Sequence, residues 1–132
     1  MGRPDLLRVV SAVVGAFAIG GAIAGVSVAH AGCEEVGYIA TFEVKPGSEQ
    51  AFEQAVVAVA DKVVEVEDGV LLYAPYRGED GRYFMMERYK NLAAREVHAT
   101  APEVQALFPA LIEQLSGPIG VEAVTAVCAS SE

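Results

Sequence analysis

Two kinds of apolar pattern divide the chain. From Val9 to Ala29 there are 21 consecutive residues without a charged side chain, an unbroken run. After Gly32 the apolar positions become periodic. Tyr38-Ile39-Ala40-Thr41-Phe42-Glu43-Val44 is rich in β-branched and aromatic residues with partial alternation, which predicts a strand. Pro46-Gly47-Ser48 breaks it, and Ser48 is expected to cap a helix with Glu49 in its first turn. Phe52, Val56, Val59 and Val63 then recur on one helical face, and that helix stops near Glu67-Asp68-Gly69. Val70 to Arg77 and Arg82 to Tyr89 read as two strands of a hairpin joined by Gly78-Glu79-Asp80-Gly81. Asn91 is placed to cap a helix from Leu92, and Pro102 divides it from a second helical stretch carrying Val104, Leu107, Phe108, Leu111 and Leu115. Ser116-Gly117-Pro118 and Gly120 end that stretch, and Val121 to Val127 predicts a last strand.

The order β-α-β-β-α-β is the split βαβ of the ferredoxin-like α+β folds, whose sheet is antiparallel. In it the first and last strands lie side by side. The expected organisation is therefore an apolar N-terminal helix within residues 1–31, then one domain over residues 32–132.

Charge sharpens the division. Of 9 basic and 18 acidic side chains, Arg3, Arg8 and Asp5 lie before residue 32, leaving 7 basic against 17 acidic in the second part. A domain at net −10 by that count, with no run of adjacent Lys or Arg, repels phosphates and is not expected to bind nucleic acid. Its apolar patterning excludes disorder.

The leader has three readings. Arg3 and Arg8 precede the apolar run, the polarity of a cytoplasmic N-terminus. Ala29-His30-Ala31 offers a signal-cleavage site. Residues 9–29 are also long enough to span a bilayer, so an uncleaved leader would hold the domain at the membrane. Ala12, Ala16, Gly20 and Ala24 form a small-residue stripe of the kind that lets transmembrane helices approach closely. Ala31-Gly32-Cys33 resembles the end of a lipidation motif, with His30 where Leu or Val is usual. All three export the domain, secreted or anchored at the extracytoplasmic face. Two cysteines in an exported chain, Cys33 and Cys128, are expected to form a disulfide. They flank the first and last strands, whose ends the fold brings together. Two histidines, one of them in the leader, cannot build a zinc site, so no metal is expected.

Several segments in order resemble the antibiotic biosynthesis monooxygenase family, the dimeric α/β-barrel group. They are Val44-Lys45-Pro46-Gly47-Ser48-Glu49 with Phe52; Glu67-Asp68-Gly69-Val70-Leu71-Leu72-Tyr73; Arg82-Tyr83-Phe84-Met85-Met86-Glu87-Arg88-Tyr89; His98; and Phe108-Pro109-Ala110-Leu111 through Leu115 to Pro118. The resemblance spans roughly residues 37–127. It implies a homodimer with facing sheets and a pocket in each subunit. Family members include cofactor-independent oxygenases of quinols and aromatic polyketides, haem-degrading enzymes, and domains without established activity. The haem-degrading branch uses an Asn, a Trp and an axial His where this chain has Ala40, Tyr89 and Phe108, so haem degradation is not expected.

The oxygenase branch implies His98 as a base and Tyr89 as the group that orients a substrate hydroxyl. The pocket would be lined by Tyr38, Ala40, Phe42 and Met85. An imidazole titrates near neutrality, which suits proton transfer. Tyr83, Met85, Glu87 and Tyr89 share one face of their strand, and Glu87 is placed to hold an imidazole or a substrate hydroxyl. The expected activity is oxygenation of a quinol or small aromatic without a cofactor. The alternative is a non-catalytic, membrane-anchored accessory or ligand-binding subunit of a membrane complex.

Overall fold

The computed structural model of the protein describes residues 33–127. The leader over 1–31, with its expected helix and export signal, lies outside the described residues, as does Cys128. Among the described residues no helix is long and apolar enough to cross a membrane.

The elements are β1 (Val36–Phe42), α1 (Glu49–Val66), β2 (Val70–Arg77), β3 (Tyr83–Tyr89), α2 (Leu92–Thr100), α3 (Pro102–Gln105), α4 (Phe108–Ile112) and β4 (Gly120–Thr125). They build one four-stranded sheet in the order β2-β3-β1-β4, antiparallel at every pairing. This is the ferredoxin-like α+β arrangement that the pattern predicts, with the first and last strands adjacent.

Residues directly opposite in an antiparallel ladder share a face. Tyr38 pairs with Glu87, which pairs with Tyr73; Ala40 pairs with both Met85 and Val121. These side chains therefore stand on one face, the one the helices cover. α1 lays Phe52, Val56, Val59 and Val63 on it, each fully buried. The Phe52 ring lies 5.3 Å from that of Phe42 and 4.8 Å from that of Tyr83, both tilted, a geometry that aromatic quadrupoles favour. The other face carries Ile39, Ala74, Tyr76, Phe84, Met86 and Val124, with Tyr76, Met86 and Val124 exposed.

Three local details differ from the sequence reading. Val44 is not part of β1; it forms an isolated bridge with Leu115, because Lys45 donates to Gln114 O and Ser116 to Glu43 O. Ser48 occupies the cap position of α1, but its hydroxyl caps nothing. The preceding turn, with Gly47 at φ 86°, leaves Ser48 at ψ 4° rather than extended, so the side chain is not aimed at the first-turn amides. The stretch after Pro102 is two short helices, not one. Pro109 lacks the N–H that would reach Gln105 four residues back, and α3 ends at Gln105. Asn91 does cap α2, its Oδ1 accepting from Ala94 N at 2.9 Å.

Gly69 fixes how α2 sits against the end of α1. A Cβ there would lie 2.4 Å from Ala94 Cβ, and Gly69 O accepts from Lys90 N at 2.9 Å. This close approach brings the α1–β2 corner under α2 and sets the distance between Glu67 and His98.

Candidate active site

The sheet face under α2 holds titratable groups. Glu67 is the first residue past α1, where the backbone turns extended, and its carboxylate points under α2. His98 comes from the last turn of that helix. His98 Nδ1 lies 3.0 and 3.2 Å from the two Glu67 oxygens, and both residues are 5% exposed. A carboxylate only accepts, so Nδ1 carries a proton, and in the neutral ring the lone pair is on Nε2. Two phenol rings hold the imidazole in place, Tyr73 at 5.0 Å and Tyr89 at 5.6 Å between centroids.

Below this pair, Tyr89 donates its hydroxyl to Glu87 at 2.7 Å. Burial pushes the Glu87 carboxyl above its ordinary range, opposed by the Tyr89 hydrogen bond and by nearby His98 and Arg95. Burial also raises both phenols, Tyr89 further through its bond to Glu87 and Tyr73 through the charge of Glu87. Both therefore stay protonated across the physiological range, as donors rather than bases.

A cavity of about 190 Å³ opens beside these groups. Ala40 and Phe42 of β1, Phe108 of α4, Ile119 and Val121 give it apolar walls. Tyr73, Glu87, Arg95 and His98 give it a polar end. The combination of a small apolar chamber and a few converging polar groups is that of a ligand site. Among the described residues no three His, Cys, Asp or Glu side chains gather as a metal-ligand set.

Four of the residues expected at the site, Ala40, Phe42, Glu87 and His98, line this cavity. Tyr89 and Met85 do not; both are fully buried in the core, and Tyr89 stands behind the cavity wall, bonded to Glu87 and packed against His98. Tyr38 also lies off the cavity wall, its ring 4.9 Å beneath the Arg95 guanidinium. Glu87 is expected to hold an imidazole or a substrate hydroxyl; the imidazole of His98 is held by Glu67, and Glu87 lines the cavity. Cys33 Sγ sits 3.9 Å from Ala126 O.

Glu67, Tyr73 and Arg95 are site residues that pattern reading passes over. Glu67 looks like a turn residue beside Asp68-Gly69. Arg95 carries one signal, its position three residues before His98, which puts both on one helical face.

The fold is of the ferredoxin-like class, and its chamber is fitted with a buried imidazole–carboxylate pair. The profile of the antibiotic biosynthesis monooxygenase family matches residues 36–110, and the chain belongs to that family. A Caulobacter crescentus protein provisionally assigned to antibiotic biosynthesis monooxygenases superimposes with a TM-score of 0.68. It is 28% identical, over 73% of this chain and 92% of its own. Rv0793 of Mycobacterium tuberculosis superimposes with a TM-score of 0.65 at 26% identity, over 74% of this chain and 99% of its own. A Methanosarcina mazei protein, 20% identical, shares the fold with a TM-score of 0.66 over 71% of this chain and 94% of its own. No curated protein matches the chain.

Proposed function

We propose that the domain is a cofactor-independent monooxygenase of a quinol or other small aromatic, with His98 as its base. The observation that carries this reading is the buried His98–Glu67 pair on the wall of an apolar cavity. Glu67 fixes the tautomer, so Nε2 is the lone pair available to a ligand hydroxyl. Removing that proton leaves an electron-rich phenolate able to give electrons to oxygen directly. For a quinol the sum is quinol plus O2 to hydroxyquinone plus water. One oxygen atom enters the ring, the other leaves as water, and the quinol supplies all four electrons. The apolar walls exclude water from the reactive phenolate.

Oxygen uptake by the purified chain with a panel of one- and two-ring quinols, in 18O2, tests this. The expected result is one O2 consumed per quinol and one labelled atom in the product, with His98→Ala lowering kcat by about 100-fold or more. An unchanged kcat in that variant removes His98 from the mechanism.

The sheet face opposite the helices supports a homodimer. Tyr76, Met86 and Val124 are exposed there beside Ile39 and Phe84, more contiguous apolar surface than isolated surface residues make. Export through residues 1–31 and a Cys33–Cys128 disulfide complete the proposal; the approach of Cys33 to Ala126, two residues before Cys128, favours the latter.

A further inference from the structure

Arg95 is the one arginine or lysine on the cavity wall. Its guanidinium carbon lies 4.9 Å from the centre of the Tyr38 ring and 5.9 Å from that of the Tyr89 ring. Its Nε is buried and has no hydrogen-bond partner. No carboxylate among the described residues lies within ion-pair distance of it: Glu67 is engaged by His98 and Glu87 accepts from Tyr89. A guanidinium is always charged, and burying one of its donors unpaired is unfavourable. What a ligand in the cavity can answer is the charge itself, which no ion pair balances.

The form of the missing partner follows from the geometry. Nε is closed off from the cavity, so the two terminal nitrogens are the ones a ligand can meet, and their N–H donors pair side by side with a planar carboxylate. Arg95 and His98, at i and i+3 on α2, are neighbours roughly 5–6 Å apart at Cβ. One ring bearing an acid group beside its hydroxyls reaches both. The apolar walls and the cavity of about 190 Å³ suit a ring of that size.

We propose that Arg95 is the specificity residue of this cavity, selecting a small phenolic or quinolic ligand that carries a carboxylate on the ring. The inference rests on the cavity being the ligand site, as the proposed function has it, but not on turnover.

Anaerobic titration calorimetry with 2,5-dihydroxybenzoate and with hydroquinone, which differ by the carboxylate, provides the test. Wild-type protein is expected to bind the acid at least tenfold more tightly, with an affinity that falls as salt rises. Arg95→Met, which keeps a long side chain over Tyr38, is expected to bring the two ligands to equal affinity; Arg95→Lys retains part of the preference. Equal binding of both ligands by wild type, binding of neither, or a preference that survives in Arg95→Met overturns the proposal. The wild-type comparison stands even if the variants fail to fold. Oxygen is absent, so a preference without later turnover would fault the monooxygenase reading and leave the assignment of Arg95 intact.

Discussion

Under α1 the sheet is closed by hydrocarbon and aromatic rings: Phe42, Phe52, Val56, Val59 and Val63 pack without a buried charge among them. Under α2 the same face of the same sheet buries Glu67, Glu87 and His98 beside Tyr73 and Tyr89. The strand pattern does not distinguish the two halves. β3 sends Tyr83 and Met85 into the first and Glu87 and Tyr89 into the second, at the same alternation. What differs is the covering helix. α1 is 18 residues long with a continuous apolar stripe, whereas α2 is 9 residues long and has His98 as its buried residue. The first half supplies stability, and the second uses some of it to hold polar groups out of water in fixed positions.

Substitutions in each half separate the two. The largest effect belongs to Phe52→Ala, which empties the centre of the apolar half and is expected to cost about 3–5 kcal/mol in chemical denaturation. Ligand affinity of the folded fraction should not change; if it fell in step, the halves would not be separable. Next comes Gly69→Ala. The new methyl meets Ala94 Cβ at 2.4 Å, an overpacking expected to cost about 1–3 kcal/mol while prising Glu67 from His98. Adding Ala94→Gly removes the clash and should recover most of the activity. Its stability would stay slightly low, because glycine inside a helix costs about 1 kcal/mol relative to alanine. Failure of that rescue would mean Gly69 matters for some reason other than the approach of α2.

The smallest effect is in pH dependence. Burial raises the native pKa of Glu87 above its ordinary value of 4.5, so the folded chain holds this proton more tightly than the unfolded one. The associated stability is present below the ordinary value and is lost as pH rises through the native one. Glu87→Gln cannot lose a proton and still accepts from Tyr89. Thermal denaturation across that range should show the variant gaining on wild type as pH rises. A difference independent of pH would mean that folding leaves the Glu87 pKa at its ordinary value.

Most of the fold is legible in the chain because it depends on local periodicity. The apolar stripe of α1, the alternation of β3 and the Asn91 cap are each set by neighbouring residues. The break between α3 and α4 was readable too, from Pro109 four residues after Gln105, but the apolar spacing from Val104 to Leu115 masks it. The site is less legible because its contacts cross between elements. Glu67 and His98 are 31 residues apart and meet only because Gly69 allows α2 to close on the α1–β2 corner. Tyr89 and Met85 lie on the expected face of β3, yet alternation does not say which part of that face the helices cover completely.

The central claim is that Glu67 holds His98 with its proton on Nδ1 and a bare Nε2 facing the ligand. Long-range 1H–15N correlation spectra of the neutral imidazole, taken with and without 2,5-dihydroxybenzoate under anaerobic conditions, test this most directly. The expected result is a protonated Nδ1 and an unprotonated Nε2 in the free protein, with the Nε2 resonance moving on ligand binding. A proton on Nε2, or an Nε2 resonance indifferent to bound ligand, would contradict it.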